Sequence, residues 1–520
     1  MNTSGLLPWQ PDHVVGGLFP PLVRYGSVLD ASDTGTGKTV TALAVARELG
    51  VVPIVFGPKN SKATWEWGAK LLGVDCEWVN YEKVRGRRQY RGGVEVDTIA
   101  IYENRTRDAA NPAFLVGYNS GRSVLQKACG WGEAACILVD AGGPNNTGFE
   151  YGEWKLPMPT YICKTYTSES EWLEEVKYGK GSFLKFKRNY TMGIFDEAHR
   201  CGGSTTLNSK SLIAARRQFK FVMALSATAA DDPCQMKALG FALGLHKLSD
   251  KKFGFRNWLF DHGGYIEDED RPGIIEFNTS KRVEVFEKLH AEVFPAHGAR
   301  MRKSLIPSFP KTQIITKFLF DETGKAKKLA DGIRQSYERF KAQARLTDSY
   351  IHDRQALELL MVPDIVDLAS DLVPQARVAI FVNFTRTLDE LVSELSRKFG
   401  SRYVGHVDGS QTGATGTAQR EKFCEEFRAN RLLFMVCNNN AGKESISLHD
   451  PTGQVEHDAI ICPCDSGRTL KQVMGRVDRA NGHDSIQYML YFKNTVQEEV
   501  ANRVIPRVNN IELLNDAAFI

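Results

Sequence analysis

The chain has no apolar run approaching the roughly 20 residues that cross a bilayer, so no membrane helix and no membrane partner are expected. Its first residues, Met1 to Val14, contain no basic segment leading into an apolar core, which argues against a secretory signal. Ten cysteines are scattered without a CxxC pair or a ladder of close spacings. The nearest two, Cys462 and Cys464, read as reduced thiols beside a buried strand rather than half of a metal site. A reducing, cytoplasmic compartment is the expectation. An excess of one charge is missing too: 66 Lys and Arg against 62 Asp and Glu leave +4, so a polyanionic partner must be argued from local clusters. Internal repeats are absent, as are helix-turn-helix, zinc-finger and RNA-recognition signatures, which argues against sequence-specific reading of nucleic acid.

What is present is the composition of a folded globular protein, 42% hydrophobic and 25% charged over 520 residues, or three or four units at about 150 residues each. Val28-Leu29, Val51–Phe56, Thr191–Phe195 and Phe221–Leu225 read as buried strands in one stretch. Arg377–Val382, Leu432–Val436, Ala459–Cys462 and Ile486–Phe492 do so in another. Near-continuous apolar strands alternating with helical patterns indicate parallel sheets covered on both faces. Ligands of such sheets bind at the carboxyl ends of the strands. Between the stretches, 249–309 reads as a linker with helical packing elements. The Gly-rich region 86–185 reads as an inserted subdomain, with a helix expected at Ser170–Val176 and an isolated strand end at Ile137–Asp140.

Two strand ends carry chemistry. After Val28-Leu29 comes DASDTGTGKT, Asp30 to Thr39, followed by the helical run Val40–Leu49. Small residues between a strand and a helix let backbone N–H groups close around phosphate oxygens at a helix N-terminus. Gly35, Thr36 and Gly37 would line that cradle, Lys38 would reach the β- and γ-phosphates of ATP, and Thr39 would bind Mg2+. Ser32 stands where a glycine is usual. The second strand runs into Asp196, Glu197, Ala198 and His199. Adjacent carboxylates repel unless a cation or proton compensates, which suits Asp196 to the Mg2+ shell and Glu197 to deprotonating the attacking water. Arg476 and Arg479, three apart on an expected helix, would face a triphosphate together and neutralise charge in the transition state.

The series of motifs resembles the superfamily-two helicase ATPases over most of the chain. LPWQ at Leu7–Gln10 resembles their adenine-side glutamine motif, which implies that Gln10 holds the nucleotide. Ser226-Ala-Thr228 resembles the coupling motif, Val382-Asn-Phe384 a motif of the second lobe, and Gln472 through Arg479 the arginine motif. The resemblance implies two tandem RecA-like lobes in an α/β fold with an insert in the first. The expected domains are 1–248 (insert 86–185), the linker 249–309, and 310–520. It also implies that His199, Ser226, Thr228 and Gln472 couple the lobes. Trp65, Asn80 to Glu82, Leu239–Leu243, Arg300 to Lys303 and Thr495–Glu499 look closest to Swi/Snf-like double-strand translocases, in the compact form of phage and viral members. The segment Ala441–Leu448 departs from the family's glycine-isoleucine-asparagine core.

Two basic clusters are candidates for phosphate contacts. Lys83, Arg85, Arg87, Arg88 and Arg91 fall within nine residues, and Arg300, Arg302 and Lys303 within four. Such contacts position a protein without reading sequence. The expectation is a monomeric ATPase moving along duplex DNA. A strand-separating RNA helicase and a slow nucleotide-dependent clamp on a partner protein remain as alternatives.

Overall fold

The computed structural model describes residues 2–85, 87–95, 136–138, 161–178, 181–203, 206–248, 254–263, 265–267, 275–277, 279–307, 309–343, 348–411, 413–442, 446–480 and 482–516. The chain forms two compact units, Met1–Val79 with Asn189–Ile520, and Asn80–Arg188.

The larger unit holds two six-stranded sheets. In the first, β1 (Ser27–Asp30), β2 (Ile54–Gly57), β3 (Glu77–Asn80), β4 (Met192–Asp196), β5 (Phe221–Leu225) and β6 (Gly298–Ala299) lie in the order β6-β1-β5-β4-β2-β3. The second contains β7 (Thr312–Leu319), β8 (Ala376–Val382), β9 (Val404–Val407), β10 (Phe434–Asn438), β11 (Glu456–Ile461) and β12 (Ser485–Phe492), in the order β7-β12-β11-β8-β10-β9. The second sheet is parallel throughout. These are two tandem RecA-like lobes. In β8, Val378, Ile380 and Val382 enter one buried cluster and Ala379 and Phe381 another. That is how a continuous apolar strand covers both faces of its sheet.

The buried strands lie close to where the apolar runs place them, with one instructive shift. Val51 and Val52 precede β2 rather than start it. The Val51 N–H donates to Ala46 O and closes the preceding helix, Val52 is exposed, and Pro53 has no N–H to give a ladder. The stretch 249–309 carries helices at Phe255–Asp261 and Arg282–Val293 and also supplies β6, the edge strand beside β1, which a linker reading missed. The edge strand β7 is mostly exposed and mixes Thr, Gln and Lys with Ile, so it lacks the apolar signature of its neighbours.

In the smaller unit, Arg87–Glu95, Tyr161–Glu169 and Cys136–Leu138 form an antiparallel sheet. The helix expected at Ser170–Val176 is instead a hairpin of Leu173–Tyr178 with Gly181–Phe186. The cross-strand pairs explain the correction: buried Leu173 faces buried Phe186, and Glu174 faces Lys185, 3.9 Å between Nζ and Oε1. Asp140, at the expected strand end, lies outside the described residues. Among the described residues, no helix is long and apolar enough to cross a membrane.

Candidate functional site

The loop after β1 is fixed before any ligand is considered. Asp30 is fully buried; the Ser32 N–H donates to its Oδ1 at 3.0 Å and Thr41 Oγ1 to its Oδ2 at 3.2 Å. Burial alone would raise its pKa, but His13, 3.3 Å away, and Lys38 hold it below the usual carboxylate range. Ser32 shows why this loop does without its usual glycine. Its Oγ lies 3.1 Å from His13 Nε2 and accepts the Met301 N–H at 2.9 Å, tying the loop to the residues after β6.

Lys38 opens α1 (Lys38–Leu49), and its ammonium donates to Ser32 O at 2.7 Å and Asp33 O at 3.1 Å. Burial lowers its pKa against the opposing pull of Asp30 and Glu197. Thr39 follows, half-buried, on the same first turn. Gln10, buried, donates from Nε2 to Thr36 O at 3.0 Å and accepts the Leu7 N–H at 2.8 Å. Gly37 sits at φ +95°, and a Cβ there would come 2.2 Å from Gln10 Nε2, so only glycine fits beside the glutamine.

Asp196 ends β4, in register with Leu225 of β5. Its Oδ2 accepts from Trp65 Nε1 at 2.9 Å, on the buried side of α2 (Lys62–Leu72). Glu197 takes a left-handed backbone, φ +51°, uncommon for a residue with a side chain. Its Oε2 then lies 3.2 Å from His199 Nδ1, which is also 3.3 Å from both Ser226 Oγ and Thr228 Oγ1. From the second lobe, on α3 (Gly467–Met474), Gln472 Nε2 comes within 3.3 Å of Glu197 Oε2 and 3.4 Å of His199 Nε2. These contacts agree when the imidazole proton sits on Nδ1, donating to Glu197, and Nε2 accepts from Gln472. Burial and the charge of Glu197 push the Asp196 carboxyl above the usual carboxylate range. Burial would raise Glu197 as well, but the His199 hydrogen bond and the charges of Lys38 and Arg476 keep it low.

The two arginines do not share a helix, contrary to their spacing. α3 stops at Met474, and Arg476 and Arg479 occupy the turns after Gly475. Both still reach the cleft. Arg476, buried, donates to Ile446 O at 3.0 Å, while its own carbonyl accepts the Leu448 N–H, so it holds the end of the divergent segment. Residues 443–445 of that segment lie outside the described residues. Arg479 packs on the glycine-rich loop: a Cβ on Gly35 would come 2.8 Å from Arg479 Cδ. A Cβ on Gly475 would come 2.9 Å from Thr34 Cβ. Glycine on each side lets the two backbones meet.

No family model matches the chain. A putative ATP-dependent RNA helicase of Acanthamoeba polyphaga mimivirus is 24% identical over 537 aligned residues, which cover 99% of this chain and 84% of that protein. Over nearly its whole length the chain is similar to that helicase. It is an ATP-hydrolysing enzyme of the motor type. Among solved structures, the SWI2/SNF2 ATPase core of Sulfolobus solfataricus in complex with dsDNA aligns over 98% of this chain and 95% of that one, at 12% identity. The TM-score is 0.32, too loose a superposition to transfer any residue's role.

In this ATPase the second basic cluster is not free for nucleic acid. The Arg300 side chain is only 6% exposed, its Nη2 2.6 Å from Asp33 Oδ1 and 2.8 Å from Glu512 Oε2. Lys303 is paired with Asp478. The expected phosphate contacts at Arg300 and Lys303 are therefore corrected to internal ion pairs, because carboxylates remote in sequence fold against them. Arg302 is half-buried. In the first cluster, Lys83 is exposed on the short helix Tyr81–Arg85; the side chains of Arg85, Arg87, Arg88 and Arg91 lie outside the description. Trp65 was legible only through family resemblance, and its indole is what orients Asp196.

Proposed function

We propose that the protein is an ATP-driven translocase that moves along duplex DNA without reading its sequence. The observation carrying this reading is the shared cleft, in which Lys38, Asp196 and Glu197 of one lobe meet Gln472, Arg476 and Arg479 of the other. Hydrolysis then requires both lobes, so each turnover can be converted into a change in their separation.

In this mechanism ATP enters with its base side at Gln10 and its phosphates at Gly35 to Thr39. Lys38 exchanges two loop carbonyls for the β- and γ-phosphate oxygens. A water attacks the γ-phosphorus, its proton passes to Glu197, and the bond to the ADP oxygen breaks. Arg476 and Arg479 neutralise the charge spread over the transferring group. The Thr39 hydroxyl and the Asp196 carboxylate are hard oxygen donors, and Asp196 is buried beside the charge of Glu197, which a cation would offset, so the pair suits Mg2+. That ion would neutralise phosphate charge. His199, with Ser226, Thr228 and Gln472 around it, passes the state of Glu197 to the second lobe.

Duplex DNA is preferred as the track because the residues around the shared motifs look most like those of Swi/Snf-like translocases. Lys83, Arg85, Arg87, Arg88 and Arg91 are the proposed backbone contacts, and the working form is a monomer. RNA is the second reading, favoured by the name of the viral relative.

A triplex-displacement assay tests the proposal. With ATP, the protein should strip a third strand from duplex DNA that has no single-stranded end, and Glu197→Gln should bind ATP but strip nothing. Unwinding of forked RNA without triplex displacement would replace the reading with a strand-separating helicase. Activity in neither assay would leave a clamp.

A further inference from the structure

Six charged side chains outside the proposed catalytic set form one balanced, largely buried network. Three are carboxylates, Asp33, Asp478 and Glu512, and three are cations, Arg300, Lys303 and Lys471. Arg300 Nη2 bridges Asp33 Oδ1 at 2.6 Å and Glu512 Oε2 at 2.8 Å. Glu512 also pairs with Lys471, and Asp478 with Lys303, whose N–H donates to Asp33 Oδ2 at 3.0 Å. The side chains of Asp33, Arg300 and Glu512 are 8%, 6% and 9% exposed, and Asp478 is sealed. Pairing outweighs burial here, since Asp33 and Glu512 are both held below the usual carboxylate range.

The network joins five parts of the fold, among them the segment after α3 that carries Asp478. Asp33 belongs to the glycine-rich loop, Arg300 and Lys303 follow β6, Lys471 lies on α3, and Glu512 lies on α4 (Val496–Asp516). α4 starts in the second lobe and ends on the first. There, Asn510 Nδ2 donates to Asp231 O at 2.9 Å and Asn515 Nδ2 to Ala227 O at 3.0 Å, within and just beyond the Ser226–Thr228 segment.

Each charged contact sits beside a residue of the site. The Asp33 carbonyl accepts from Lys38. Lys471 precedes Gln472, which touches Glu197 and His199. Asp478 precedes Arg479, which packs on Gly35.

We propose that Glu512 and Lys471 are positioning residues for ATP hydrolysis, setting the register of α3 and its arginine turn against the glycine-rich loop. Neither touches the expected nucleotide. Their effect is on alignment, and a misplacement of about 1 Å can cost about a hundredfold in rate. Removing the Glu512 charge leaves Arg300 and Lys471 facing each other without their shared anion, so α3 moves away while the first lobe keeps its nucleotide contacts.

The proposal rests on the site roles given above, and the test separates the two. Full-length wild type, Glu512→Gln, Lys471→Met and the double variant are compared for ATP binding, kcat, KM and thermal midpoint, with kcat expressed per nucleotide-binding site. Each single variant should lose at least tenfold in kcat with KM within about threefold, and the double should be no worse than the poorer single. Additive losses, an unchanged kcat, or a loss confined to KM would overturn the proposal. If Glu512→Gln fails to fold, Lys471→Met decides by the same criteria. A wild type that binds ATP without hydrolysing it would instead remove the catalytic roles of Glu197 and the arginines.

Discussion

The two lobes share a sheet type and differ in what their strand ends carry. In the first lobe β1 and β4 end in charge: Asp30 and Asp196, with Lys38 and Glu197 close by. In the second, β8 and β10 end in amides. Asn383, just past β8, has its N–H and Nδ2 bound to Glu358, with Nδ2 to Oε2 at 2.7 Å. Asn439 Nδ2 donates to Asn383 Oδ1 at 2.9 Å, and Asn438 Nδ2 to Asn383 O at the same distance. Glu358 is sealed, and burial raises its pKa despite those donors. One set of strand ends carries charge, and the other binds its amides to one another and to Glu358. The second lobe's charges for the cleft come from the turns after α3, which can shift with that helix. The amide cluster keeps the sheet beneath them fixed.

Substitutions at the charged ends should have the largest effect and should split by lobe. Lys38→Ala, Arg476→Ala and Arg479→Ala are each expected to lower kcat by on the order of 10³-fold. Only Lys38→Ala should also weaken ATP binding strongly in a fluorescent-nucleotide titration. An arginine variant that lost binding in parallel with turnover would erase the proposed division between holding the nucleotide and reacting it.

A smaller effect, on stability rather than chemistry, is expected at the amide ends. Glu358→Ala leaves the Asn383 and Phe384 N–H groups without their acceptor, at a cost of about 2–3 kcal/mol. Thermal melting should drop by about 5–10 °C for a lobe of this size, while ATP binding by the first lobe persists. A variant that melts normally but no longer hydrolyses ATP would move Glu358 from the scaffold into the mechanism.

This contrast also marks what the sequence makes legible. Lys38, Thr39, Asp196 and Glu197 stand at the loop and strand end where the sequence places them, because phosphate chemistry confines such residues to short, fixed spacings. Gln472, by contrast, is singled out only by the family resemblance. The amide cluster was not legible, since Glu358 and Asn383 are 25 residues apart and Asn383 and Asn439 are 56 apart. Neither spacing corresponds to any local period. Arg300 read as a solvated phosphate contact because its carboxylates are 267 and 212 residues away in the chain. The strand β7 escaped because an exposed edge has no reason to be apolar. The Ser170–Val176 helix failed for the opposite reason, a local pattern overridden by cross-strand pairing.

The proposed translocase mechanism requires duplex DNA to drive the cleft. The direct measurement is turnover at saturating ATP with equal lengths of duplex DNA, single-stranded DNA and single-stranded RNA, each at several salt concentrations. Duplex should stimulate most, and the stimulation should weaken steeply as salt rises, since a phosphate-dominated contact releases counterions. Equal or greater stimulation by single-stranded RNA would contradict that mechanism.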